Sequence, residues 1–127
     1  MNWGGFAAVG IGAATGAWLR WGLGLLLNPL FPTLPMGTLA ANLAGGYLMG
    51  IAMGILTHYT SLPAEARLLV TTGFLGGLTT FSTFSAEAVT LLSRAQYGWA
   101  ATHIFSHLLG SLAMTMLGIF TVNLIKG

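Results

Sequence analysis

Apolar positions fill four stretches of the chain, and polar ones collect between them. The stretches cover residues 3–27, 36–56, 64–93 and 99–125. Each can supply the roughly 20 apolar residues that a helix needs to cross a bilayer. Asn28-Pro29 ends the first, and Pro32 and Pro35 keep the following link extended. Residues 58–63 read as a turn-like link. Tyr59, Tyr97 and Trp99 fall where interfacial aromatic anchors belong. The pattern predicts an all-α membrane protein, one domain over residues 1–127, with four transmembrane helices.

The third stretch breaks its own pattern. Residues 73–87 read G-F-L-G-G-L-T-T-F-S-T-F-S-A-E, with a Gly-Gly pair and five hydroxyl residues inside an apolar region. Irregular backbone at membrane depth leaves N–H and C=O groups that lipid cannot satisfy, so it persists only inside protein or along a polar cavity. The segment is predicted to be a helix broken mid-membrane, with Gly76-Gly77 permitting the unwinding. The alternative is a continuous helix whose Ser and Thr hydroxyls bond back to its own carbonyls.

Residues at every fourth position make three further stripes. Gly4, Ala8, Gly12, Gly16, Arg20 and Gly24 form a ridge of small residues on the first span, interrupted by one guanidinium. Asn42, Gly46, Gly50 and Gly54 repeat the device on the second. Such ridges let helix backbones approach closely. His103, His107, Ser111 and Thr115 form a polar stripe along the fourth span.

Composition narrows the classes. Charged residues make up 5% of the 127, against about a quarter in a soluble domain. There are no cysteines, so no disulfide framework and no thiolate metal site. A net charge of +2 gives no footprint for nucleic acid. No positive n-region precedes the first apolar run, so that run is expected to stay as a span. The chain has no Asp, and its two carboxylates, Glu65 and Glu87, are far apart in sequence. The His103/His107 pair could ligate a metal, but it lacks a neighbouring carboxylate or third His. No enzyme is predicted. With four spans, Arg67 and Lys126 fall on one side, and Arg94, with Arg20 if it reaches that surface, on the other. That leaves almost no positive-inside bias and predicts insertion in both orientations. Four spans alone make a poor pore wall, so a dimer is expected.

The run G-G-L-T-T-F-S-T-F-S resembles the signature of the Fluc (CrcB-type) fluoride channels. The resemblance extends to length, span number and motifs in all four spans. It implies an antiparallel, dual-topology homodimer in the cell inner membrane, passing fluoride passively out of the cell. Phe81 and Phe84 match that family's pore phenylalanines, and Asn42, in G-T-L-A-A-N-L, its pore asparagine. Ser111 matches a pore-side serine, with Thr115 one turn on, and Ser82 and Thr83 continue the polar track. Arg20, in W-L-R-W, matches a first-span arginine. Gly76 and Thr79 match positions whose carbonyls hold a structural Na+, which is not transported. Glu87 also fits the family, without an assigned role.

The physical chemistry of these residues suits an anion. Hydroxyls of Ser82, Thr83, Ser111 and Thr115, and the Asn42 amide, can donate hydrogen bonds. An aromatic ring is positive at its edge, so Phe81 and Phe84 turned edge-on could stabilise fluoride weakly enough to release it. From the residues alone, the two rings could equally fill space. Arg20 could attract anions into a vestibule or snorkel to the headgroups beside Trp18 and Trp21. Two other functions compete. A small proton-coupled multidrug exporter would need an acid in the first span, which holds Arg20 and no acid. A non-transporting assembly subunit would explain the glycine ridges but not the broken helix.

Overall fold

In the computed structural model, which describes residues 2–126, every regular element is helical. Helix α1 spans Trp3–Leu27, and a 3₁₀ turn, Asn28–Leu30, follows it. Helix α2 spans Met36–His58. A third run, α3, covers residues 64–78: an α-helical turn (Ala64–Arg67), a wider π-helical stretch (Leu68–Leu75) and a last α turn (Gly76–Leu78). Helix α4 spans Phe81–Ser93 and α5 spans Tyr97–Lys126. The four apolar stretches thus appear as helical rods, the third in two pieces. The second and fourth rods each run a few residues beyond the expected 36–56 and 99–125.

Side chains close the exposed helix ends. The Asn2 oxygen accepts from the Gly5 N–H at 2.6 Å and caps α1. Pro35 cannot cap α2 with its side chain. Asn28 does so from the preceding turn, its Oδ1 accepting from Gly37 N (2.7 Å) and Thr38 N (3.3 Å). Two of the orphan N–H groups at that terminus are thereby satisfied. At the other end of α4, Gln96 N donates to Leu91 O (2.9 Å) and Ala95 N to Leu92 O (3.0 Å). This is a Schellman ending, with Ala95 at φ 58° in the left-handed position usually given to glycine.

Packing follows the small-residue ridges. The broadest contacts join α2 to α5 and α1 to α3. A methyl group on Gly16 would collide with the Phe74 carbonyl, and one on Gly77 with the Ala13 carbonyl. The α2–α5 seam is equally tight: Gly50 lies against the Thr115 carbonyl and Gly118 against that of Tyr47. These are backbone-to-backbone contacts, available only without a Cβ.

The third rod does break, but not where the glycines stand. Gly76 is helical (φ −62°, ψ −37°), and the helix continues to Leu78. The chain becomes extended at Thr79 (φ −88°, ψ 156°) and Thr80 (φ −149°, ψ 122°). The expectation that Gly76-Gly77 unwinds is therefore corrected. Gly77 serves close packing against α1, and two threonines, comfortable in extended backbone, form the break.

The distribution of polarity is that of a membrane protein. Thr38, Asn42, His103 and His107 are buried, while Trp18, Trp21, Leu26, Phe105, Met116 and Ile125 are exposed. A solvent of hydrocarbon, not water, explains an exterior this apolar. Helices α2 and α5 are long and apolar enough to cross a membrane by length and composition.

Candidate functional site

Thr80 is the centre of the break, and Asn42 of α2 holds it. Thr80 N donates to Asn42 Oδ1 at 2.7 Å, and Asn42 Nδ2 donates to Thr80 O at 3.0 Å. The carboxamide thus pairs with one residue's backbone as a neighbouring β-strand would. Its second N–H faces His107 Nδ1 on α5 at 3.0 Å. The Thr80 contacts fix which end of the amide is nitrogen, so His107 Nδ1 accepts and the ring's hydrogen sits on Nε2. Both Asn42 donors are occupied here.

The same contacts release two carbonyls. In a continuous helix Thr80 N would bond to Gly76 O, and Thr83 N to Thr79 O. Asn42 has taken the first donor. The Thr80 hydroxyl takes the second, at 3.1 Å, as N-cap of α4. A third carbonyl, Gly77 O, is met by Arg20 Nε at 3.0 Å. Arg20 therefore caps the C-terminal end of α3, where a positive charge also meets the helix dipole favourably. Neither the vestibule nor the snorkelling expectation anticipated this contact.

Two recesses open on either side of Thr80, which lines both. The larger, about 410 Å³, brings together Asn42, Gly76, Thr79, Phe81, Phe84, Ser111 and Thr115. The smaller, about 260 Å³, holds Arg20 and Thr83 with Thr38 and Asn28. Ser82 lines neither; it is exposed, with its hydroxyl 3.4 Å from that of Thr80. The Thr115 hydroxyl is turned to the Gly46 and Ser111 carbonyls (3.0 and 2.9 Å). Phe81 and Phe84 lie with ring centroids 5.5 Å apart. Phe81 is 79% exposed, whereas Phe84 packs over His107 and His103, at 4.7 and 5.3 Å.

Behind Phe84 lies a cluster that the sequence did not reveal as one unit. Glu87 Oε1 stands 3.4 Å from His103 Nε2, while its Oε2 accepts from the Thr38 hydroxyl at 2.7 Å. The neighbouring carboxylate absent from the His103/His107 motif is supplied by α4. Folding corrects that objection: Glu87 is 16 residues away in sequence but directly opposite in space. The available signal was the spacing of the two histidines on one face of α5.

Comparison with known proteins identifies the family. The family model described as CrcB-like protein, Camphor Resistance (CrcB), matches residues 7–119. A protein of Nitrosospira multiformis named fluoride-specific ion channel FluC is 70% identical over 116 residues, 91% of each chain. The protein of that name from Cupriavidus pinatubonensis is 61% identical over 121 residues, 95% of this chain and 96% of its own. The one from Thiobacillus denitrificans is 54% identical over 121 residues, covering 95% and 98%. With residues 7–119 matched by the family model and relatives of this identity covering nearly its whole length, this chain belongs to the CrcB family.

Proposed function

We propose that this protein is a fluoride channel of the cell inner membrane. It lets fluoride leave the cytoplasm passively, down its electrochemical gradient, and so limits fluoride toxicity. The single observation that carries the reading is the stapled break itself: irregular backbone at Thr79-Thr80, beside Phe81 and Phe84, opening on a recess that Ser111 also lines. Such backbone belongs where protein or a polar path covers it. The membrane potential supplies about 2.3 kcal/mol per charge per 100 mV, so export needs no fuel domain.

In this reading Phe81, Phe84, Ser111 and Thr115 line the path in the larger recess. Thr83, with Ser82 beside it, continues the path, and Arg20 supplies the vestibule charge. Asn42 acts through Thr80 by holding the break open. The four rods are four spans, and two copies assemble antiparallel, each completing the other's open recess. The balanced placement of Arg20, Arg67, Arg94 and Lys126 supports insertion in both orientations.

A structural Na+ fits the freed carbonyls. Gly76 O and Thr79 O have lost their helical donors and would be its ligands, doubled by the partner copy. Oxygen donors without a carboxylate suit a monovalent hard cation. When bound, it would neutralise converging carbonyl dipoles.

The test is anion efflux from liposomes holding the purified protein. Rapid fluoride release with no comparable chloride release is the expected result. Silent liposomes, or equal release of both ions, would sink the reading.

A further inference from the structure

We propose that Glu87, His103 and His107 form a binding site for one divalent transition-metal ion, of the Zn2+ class. The ligand atoms are Glu87 Oε1, His103 Nε2 and His107 Nε2. All three are buried, and none has a hydrogen-bond partner. Both histidines are more than nine-tenths buried. Buried polar atoms are ordinarily paired, and three orphans within one side-chain cluster point to something that sits among them. One ligand atom from each of the three residues lies within 4.8 Å of the other two.

Chemistry selects the class of occupant. Two imidazoles and a carboxylate suit borderline ions such as Zn2+, whereas Ca2+ and Mg2+ take oxygen shells. Two ligand atoms on one tetrahedral zinc stand about 3.4 Å apart, given bond lengths of about 2.0–2.1 Å. Glu87 Oε1 and His103 Nε2 already have that spacing. Closing His107 onto them completes three protein ligands, and the fourth position is left for water or an anion. Glu87 is held for the purpose by its bond from Thr38, the outer-shell support that metal carboxylates usually have.

One contact opposes loading and gives the site a signature. A metal on His107 Nε2 needs the ring hydrogen on Nδ1. That hydrogen would then meet the Asn42 Nδ2 donor now 3.0 Å away. Loading therefore moves one proton within the imidazole, from Nε2 to Nδ1, and breaks the Asn42 contact. Asn42→Asp replaces the opposing donor with an acceptor for Nδ1–H, the carboxylate–histidine–metal arrangement. Such supports are worth about 10–100-fold in affinity.

The experiment uses purified, untagged full-length protein in detergent. Zn2+ is titrated by calorimetry, with Co2+ as an optical probe of tetrahedral coordination. The expected result is saturable uptake near one ion per chain. Binding should weaken at least about 100-fold in His103→Gln and Glu87→Gln, and tighten about tenfold in Asn42→Asp. His58→Gln should leave it unchanged. Zinc X-ray absorption of the wild type reads the ligand set without any variant, and two imidazoles are expected. A wild type that takes up neither ion overturns the proposal, as does an oxygen-only zinc shell. Uptake that survives both His103→Gln and Glu87→Gln does so too. Because binding is read without fluoride flux, this proposal and the channel reading fail independently.

Discussion

Asn42 and Thr80 exchange two hydrogen bonds across 38 residues of sequence, one in each direction. That reciprocal pair converts a helix into two and frees the carbonyls around it. Asn42→Asp keeps the acceptor for Thr80 N but sets a second oxygen against Thr80 O. A buried group left unsatisfied costs about 1–3 kcal/mol. Fluoride flux from liposomes is expected to fall by at least about tenfold in a variant that still elutes as a folded species. Unchanged flux would detach the pair from conduction.

Phe81 and Phe84 should separate by stability. Isoleucine at either position removes the positive ring edge, and flux should drop about tenfold or more. Phe84 also packs on His103 and His107, so Phe84→Ile loses contacts that Phe81→Ile does not. Aromatic contacts of this kind are worth about 0.5–1.5 kcal/mol. Thermal unfolding in detergent should register the second loss for Phe84→Ile alone.

Arg20 carries a charge and a cap, and two variants part them. Arg20→Gln retains an N–H donor within reach of Gly77 O and should keep most of the thermal stability while lowering flux. Arg20→Ala should lose both. Equal melting temperatures for the two variants would show that the 3.0 Å bond to Gly77 O contributes nothing.

The glycine seams make a sharper test. Gly16→Ala and Gly50→Ala drive a methyl into facing carbonyls and should destabilise by about 1–3 kcal/mol or more. Gly10→Ala and Gly22→Ala meet nothing within 4 Å and should be neutral or slightly stabilising. Size-exclusion profiles after graded heating rank the four. Ala95→Gly should go the other way and stabilise by about 1 kcal/mol, because it removes the left-handed strain at the end of α4.

Removal of Na+ tests the carbonyl cage. In sodium-free buffer, flux and thermal stability should both fall, and both should return on adding Na+. Indifference of both would reassign Gly76 O and Thr79 O.

Much of this architecture was legible from periodicity. The end of α1 was readable because Asn28-Pro29 punctuates it, and the ridges on α1 and α2 marked the faces that pack closely. The existence of the break was also legible, from the density of hydroxyls in an apolar run. Its position was not. Gly76-Gly77 looked like the weak point because glycine tolerates unusual backbone, yet the glycines serve α1 and the break falls where Asn42 reaches Thr80. That partner comes from another helix and leaves no local mark. Glu87 was hidden for the same reason. Its closeness to His103 depends on how α4 docks on α5 after the break, an angle that no spacing within either helix encodes.

Because the partner of Thr80 is remote, the order of events during biogenesis is constrained. Residues 64–93 alone have no reason to part at Thr79-Thr80 in lipid, where intrachain bonding is the cheapest state. They should enter the bilayer as one uninterrupted rod and be split afterwards, when α2 docks and its carboxamide captures Thr80. A chain with Asn42→Leu should therefore insert normally but mature poorly. Amide exchange across residues 76–83 would then be slower than in the wild type, the mark of a rod that never parted.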